Sequence, residues 1–145
     1  MIYTPLTRLA MTIACSAHQG QLDKAGYPYI HHPLHVAEQM TDEYACAAAL
    51  LHDVVEDTDW TLAQLKEAGI PTPILDALAL LTHDDGTTYL DYVRRLRDNP
   101  IARAVKLADL RHNSDTSRLD TLTEQDLFRL ERYRKAVVLL TKAGT

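Results

Sequence analysis

The chain has 145 residues, 46% of them hydrophobic and 24% charged, with only 5 Gly and 6 Pro; this excludes a disordered or fibrous protein and suits one globular domain. Fifteen Lys and Arg stand against 20 Asp and Glu, a formal charge of −5, so the basic excess that serves duplex nucleic acid or an anionic membrane is missing. No apolar run approaches the about 18 residues of a membrane span, and Met1 to Pro5 lacks the charged-then-apolar start of a signal peptide, so a cytoplasmic protein with no nucleic-acid or membrane partner is expected.

In chain order, Leu6, Leu9, Ala10, Ile13, Ala14 and Ala17 recur at three and four behind Pro5, which predicts an amphipathic helix. Gly20, Gly26 and Pro28 then mark an exposed polar loop. Pro33 suits the first turn of a second helix that reaches Met40, and Thr41-Asp42 caps a third. The third helix carries Ala45-Cys46-Ala47-Ala48-Ala49-Leu50-Leu51, seven residues with no polar face, and is expected at the centre of the fold. Cys46, there, and Cys15, in the first helix, both sit in Ala-rich stretches without metal-type spacing, and both are expected as reduced core residues. Helical spacing returns over 60–68, 73–81, 89–97, 101–111 and 127–140, with Gly69-Ile70-Pro71, Asp84-Asp85-Gly86 and Asn99-Pro100 as breaks. No stretch sustains strand alternation. The expected fold is all-α, a compact single-domain bundle of about seven or eight helices over residues 1–145, with room for at most a small hairpin.

Directly after the apolar run comes His52-Asp53-Val54-Val55-Glu56-Asp57-Thr58-Asp59, four carboxylates within seven residues. Burying an unpaired carboxylate costs several kcal/mol, and clustering like charges adds to that, unless a cation or protons compensate. If helix continues through Glu56, His52 shares a face with Glu56 and Asp53 with Asp57. Three other stretches offer partners: Ile30-His31-His32-Pro33, Thr82-His83-Asp84-Asp85, and 106–113, where Asp109 lies among Val105, Leu107, Ala108 and Leu110. A shared divalent ion such as Mn²⁺, Fe²⁺ or Zn²⁺ answers both needs, and the lack of thiolate ligands argues against a structural zinc site. Hydrolysis is the natural use of such a centre.

These motifs, with Ala17-His18-Gln19-Gly20-Gln21, Tyr29-Ile30-His31-His32-Pro33, His-Asp-Val-Val-Glu-Asp-Thr and Lys106-Leu107-Ala108-Asp109, resemble the HD-domain hydrolases of the RelA/SpoT type, and most of all a stand-alone small alarmone hydrolase. The resemblance covers roughly the first four-fifths of the chain by motif order. It implies that His32, His52, Asp53 and Asp109 hold the metal, with manganese the expected ion, and that Glu56 and Asp57 form the catalytic acidic pair. It also implies removal of the 3′-pyrophosphate from guanosine tetra- and pentaphosphate, a small-molecule nucleotide substrate, without the synthetic activity of the long bifunctional enzymes. Lys24, Lys106 and Arg111 are the phosphate candidates, and Tyr29 and Asn113 match nucleotide-pocket positions. Where relatives often carry two adjacent bases in the loop, this chain has Asp23-Lys24. That departure keeps open a phosphohydrolase for another nucleotide or a phosphorylated dinucleotide cofactor such as NADPH. A non-catalytic nucleotide-binding or partner-regulating module is the reading from a different class, against which the intact Glu56-Asp57 pair argues.

Blander roles are expected elsewhere. His31 is expected at the surface or beside the ligands, and His18, His35 and His112 as ordinary structural histidines. Asp59 reads as capping for the helix that follows, 82–86 as a turn, and Arg94, Arg95, Arg97 and Arg103 as a solvated face.

Overall fold

Ala45 to Leu51 form the centre: Ala45 is 3% exposed and the six residues after it are fully buried. In the computed structural model, which describes residues 1–117 and 121–141, this run occupies α3 (Glu43–Leu51), whose N-cap Asp42 accepts the Ala45 N–H at 2.8 Å. Around it pack α1 (Pro5–Ala17), α2 (His31–Glu38), α6 (Thr72–Leu81) and α8 (Pro100–Asn113). A helix apolar on every face is stable only when enclosed in this way, and burial of Leu50 and Leu51 stabilises by about 1.5–3 kcal/mol each. Farther out lie α4 (Val54–Asp57), α5 (Leu62–Ala68), α7 (Tyr89–Leu96) and α9 (Glu124–Thr141), the last against α7 and α8.

The all-α expectation holds, with nine helices among the described residues. The additional one arises where the sequence allowed a helix through Glu56. His52 breaks that helix, because its ring Nδ1 donates to the Ala49 carbonyl at 2.5 Å and its backbone N–H reaches back to the same oxygen rather than one residue further. The chain resumes as the single turn α4. Asp53, in the break, brings its Oδ2 to 3.8 Å from Nε2 of His32 in the first turn of α2.

Two smaller expectations are corrected or refined. Cys46 is buried but Cys15 is exposed: it sits one residue past Ala14, about 100° around α1 from the buried face of Ala10 and Ala14. The loop before α2 is a miniature hairpin, with Asp23 N–H donating to Tyr27 O at 2.8 Å, Tyr29 N–H to Gln21 O at 2.8 Å, and a bridge pairing Leu22 with Pro28. Gly26, at φ 86°, supplies the left-handed residue its turn needs. No helix of the described residues is long and apolar enough to cross a membrane.

Candidate metal centre and adjoining cleft

His32 enters from the first turn of α2, His52 from the end of α3, Asp53 from the break before α4, and Asp109 from the buried face of α8. His32, His52 and Asp109 are 6%, 4% and 6% exposed. One ligating atom from each lies within 4.8 Å of the other two. His32 Nε2 is 2.8 Å from Asp109 Oδ1 and 3.8 Å from Asp53 Oδ2, while His52 Nε2 is 3.5 Å and 3.2 Å from the same two oxygens. The structure therefore gathers all four residues that the resemblance assigns to a metal.

The hydrogen bonds around the cluster show why a cation fits it. Because His52 Nδ1 donates to Ala49 O, Nε2 of a neutral ring turns its lone pair towards two carboxylates, and this buried atom has no hydrogen-bond partner of its own. Lone pairs facing carboxylate oxygens repel unless a proton or a metal ion lies between them. The proton affinity shows the same demand. Burial disfavours a charged His52, yet Asp53 and Asp109 outweigh it and draw its pKa well above the ordinary histidine value. For Asp109, burial opposes ionisation, but Lys106, His32 and His52 together hold the carboxyl well below the usual range. Two imidazoles and the Asp109 carboxylate on mutually close atoms, with Asp53 Oδ2 3.8 Å and 3.2 Å from the two imidazoles, offer a donor set that suits a divalent ion.

Outside the ligating atoms, each of these groups is fixed by a further contact. His112 Nδ1 lies 2.6 Å from His32 Nδ1, one ring donating to the other, and the two rings stack with centroids 4.9 Å apart. The His112 ring also stacks on His35 at 4.2 Å. Tyr29 OH donates to Asp53 Oδ2 at 2.5 Å, and Asn113 Nδ2 to Asp109 Oδ1 at 3.0 Å. Lys106 Nζ donates to Asp109 Oδ2 at 3.0 Å, with the rings of Tyr92 and Tyr89 at 5.3 Å and 5.7 Å.

Glu56 and Asp57 follow on α4, both exposed. Partial shielding raises the Glu56 pKa despite the His83 N–H that donates to Oε1 at 3.3 Å, with Asp53 and Asp57 pushing further in the same direction. Asp57 is raised by shielding and then by Asp53. Thr82 to Gly86 form the expected turn, with Asp84 Oδ1 accepting from Gly86 N–H, and the same turn brings His83 to Glu56.

Beside the cluster lies a cleft of about 280 Å³, bordered by Lys24, Tyr29 and Asn113 among others. Three of the five substrate candidates thus meet. The other two do not join them. Lys106 is half-buried against Asp109, so its ammonium is engaged by that carboxylate instead of lining the cleft. Arg111 is exposed and lines a separate cleft with His35, Gln39 and Leu107, because two residues along a helix place it about 200° around α8 from Asp109. The bridging roles of His112 and His83 went unrecognised in the sequence, where both read as ordinary residues.

Comparison with known proteins agrees with this geometry. The HD domain family model matches residues 10–135. The chain is 34% identical over 127 residues to the probable GTP pyrophosphokinase of Mycobacterium leprae, covering 78% of this chain and 16% of that protein. It is 38% identical over 121 residues to the guanosine-3′,5′-bis(diphosphate) 3′-pyrophosphohydrolase of Haemophilus influenzae, covering 72% and 17%. With the bifunctional (p)ppGpp synthase/hydrolase SpoT of Escherichia coli it shares 33% over 131 residues, covering 75% and 18%. The chain thus spans less than a fifth of the length of these relatives. A solved structure of a metazoan ortholog of SpoT that hydrolyses ppGpp superposes with a TM-score of 0.78 at 25% identity, covering 99% of this chain and 89% of that one. The chain belongs to the HD-domain family and is homologous to the RelA/SpoT enzymes.

Proposed function

We propose that the chain is a single HD domain that hydrolyses the 3′-pyrophosphate of guanosine tetra- and pentaphosphate in the cytoplasm, using a divalent cation, manganese by preference. The observation that carries the reading is the orphaned, buried Nε2 of His52 among Asp53, Asp109 and His32, with the Glu56-Asp57 pair on the turn that follows. The relatives' named activities supply the substrate class. When bound, the cation would supply charge for the pyrophosphate oxygens and lower the pKa of an attacking water from its bulk value towards about 7.

In this reading His32, His52, Asp53 and Asp109 hold the cation. Glu56 takes the proton of the attacking water, a task suited to a carboxyl whose pKa stands above the ordinary glutamate value. Asp57 orients that water or protonates the leaving oxygen, and the two acids act as a unit. Tyr29 holds Asp53 in place and lends its ring to the ligand, as Asn113 does with Asp109 and its amide. Lys24, exposed at the cleft mouth, meets phosphate.

A second reading, release of a single phosphate from another nucleotide or a phosphorylated dinucleotide, is favoured by one observation. Asp23 stands in the loop and its Oδ1 accepts from the N–H groups of Ala25 and Tyr27 at 2.9 and 3.0 Å, so the loop brings one base to the cleft. Product analysis of manganese-loaded protein with a panel of pyrophosphorylated and singly phosphorylated nucleotides separates the two. Pyrophosphate from guanosine tetraphosphate supports the first, preferential orthophosphate release supports the second, and binding without turnover of any member refutes both.

A further inference from the structure

The Ala17-His18-Gln19-Gly20-Gln21 stretch closes α1, and the mechanism above gives its histidine no task. His18 is 3% exposed. Its backbone N–H donates to Ala14 O at 3.0 Å, and its carbonyl accepts the Gln21 N–H at 3.0 Å. Ring Nδ1 lies 2.9 Å from Gln21 Oε1; an amide oxygen only accepts, so Nδ1 carries the proton. Nε2 is then a lone pair, buried and without a hydrogen-bond partner. Among the described residues only His52 Nε2 and Tyr89 OH share that condition. An acceptor buried in this way costs stability unless a donor reaches it in the working protein.

Position limits what that donor is. The His18 ring lies 5.1 Å from the ring of Tyr29, centroid to centroid, and Tyr29 OH donates to Asp53 Oδ2, so His18 borders the site without touching a ligand. From the other side α4 brings Asp57, one turn after Asp53. Asp57 acts electrostatically on Tyr29, and of the groups that favour its own ionised form His18 stands first, ahead of His52. Its neighbour on the same turn faces elsewhere: successive helical residues point about 100° apart, and Glu56 accepts the His83 N–H. Resting on the pyrophosphohydrolase reading above, we infer that His18 is a positioning residue that acts through Asp57, its unpartnered Nε2 and the Asp57 carboxyl sharing one proton that Asp57 delivers to the leaving 3′-oxygen.

This divides the work of the acidic pair. The oxygen of the attacking water bonds to the 3′-linked phosphorus as the bond from that phosphorus to the ribose 3′-oxygen breaks. Glu56 takes a proton from the water, and the Asp57–His18 pair gives one to the 3′-oxygen, which leaves as a hydroxyl. The proton held by Glu56 then passes through solvent to the pair, and the site is restored. Asp53 and Asp109 face the same carboxyl and oppose its ionisation, which keeps the shared proton in place between turnovers.

Two substitutions that each keep one end of the ring separate this role from a structural one. His18→Asn places an amide N–H where Nδ1 stands, retaining the Gln21 contact, and puts nothing at Nε2; His18→Gln reaches the place of Nε2 and gives up the Gln21 contact. With manganese-loaded full chain and guanosine tetraphosphate, His18→Asn is expected to lower kcat about a hundredfold and His18→Gln about tenfold, each with KM within about twofold. In the Asp57→Asn background neither is expected to lower kcat by more than about a further twofold. Overturning results are a His18→Gln penalty as large as that of His18→Asn, or penalties that persist undiminished beside Asp57→Asn; His18 then only braces the loop. The ¹⁵N shift of His18 Nε2 in zinc-loaded protein reads the pairing without turnover and without a His18 variant. It is expected to differ between wild type and Asp57→Asn, and an unchanged shift overturns the pairing. If the wild type hydrolyses no nucleotide, the hydrolase reading falls, and this shift still decides the role of His18.

Discussion

His32, His52 and Asp109 are at most 6% exposed and come from three different helices, whereas Lys24 and Asn113 at the adjoining cleft are exposed and Arg129 is partly so. In the buried cluster Lys106 answers Asp109, Tyr29 answers Asp53 and His112 answers His32, and His52 Nε2 is left for the cation to satisfy in the proposed reading. In the cleft, charges on a loop and on the first turns of α9 border one space open to solvent. The first region must be satisfied electrostatically before a substrate arrives, because unpaired buried charge costs several kcal/mol. The second can stay partly unsatisfied, since water screens it. In the proposed reading, binding of the cation and choice of substrate are therefore separable, and substitutions can be chosen to strike one without the other.

The largest expected effect lies in the cluster. Asp53→Ala removes one of two acids that face His52 Nε2, and is expected to abolish both manganese content, read by atomic absorption, and hydrolysis. Full activity in this variant contradicts the ligand assignment. Glu56→Ala sharpens the contrast by leaving the cluster whole: metal content is expected to persist while turnover slows at least about a hundredfold, the usual share of a general base.

Stability reads the buried region on its own. Lys106→Met leaves Asp109 buried without its ammonium, and in metal-free protein this is expected to cost about 3–5 kcal/mol in a urea titration. Manganese is expected to restore part of that loss, because positive charge returns to the same carboxylate. A variant as stable as wild type without metal would show that Lys106 does not balance Asp109.

The smallest effect belongs to the exposed acids. The native pKa of Glu56 lies above its unfolded value, so as pH rises the unfolded chain releases this proton first. Native stability then falls across the window from the ordinary glutamate value, about 4.3, up to the raised one. Glu56→Gln is expected to remove that cost, raising Tm of the metal-free protein by up to a few degrees at pH 7 and by nothing below the window. A lower Tm at pH 7 would contradict the strain assigned to this acid.

The same contrast explains what could be read from the sequence. His52, Asp53 and Asp109 stood out because each interrupts or ends an apolar run, and a charge in such a place must be compensated wherever the fold takes it. The all-α fold was legible from spacing, and α3 from its lack of a polar face. The break at His52 was not, because it depends on a ring nitrogen bonding the Ala49 carbonyl, a contact no periodicity records. Lys106 was a phosphate candidate because it lies within a segment that resembles the family's, and a lysine ordinarily carries its ammonium to solvent. Here its ammonium lies near the rings of Tyr89 and Tyr92 and donates to a buried acid. Arg111 adjoins the right motif but lies on the far side of its helix. Arg129 sits on the cleft only because α9 folds back across α7 and α8, a long-range event with no local signature.

The central claim is that acids from separate helices are gathered around one divalent ion. It is tested most directly by the anomalous scattering of manganese in crystals of the loaded protein. The account predicts a single strong peak per chain within coordination distance of His32, His52, Asp53 and Asp109 together. A peak elsewhere, or Asp109 turned away from His52 in the presence of abundant manganese, would contradict it.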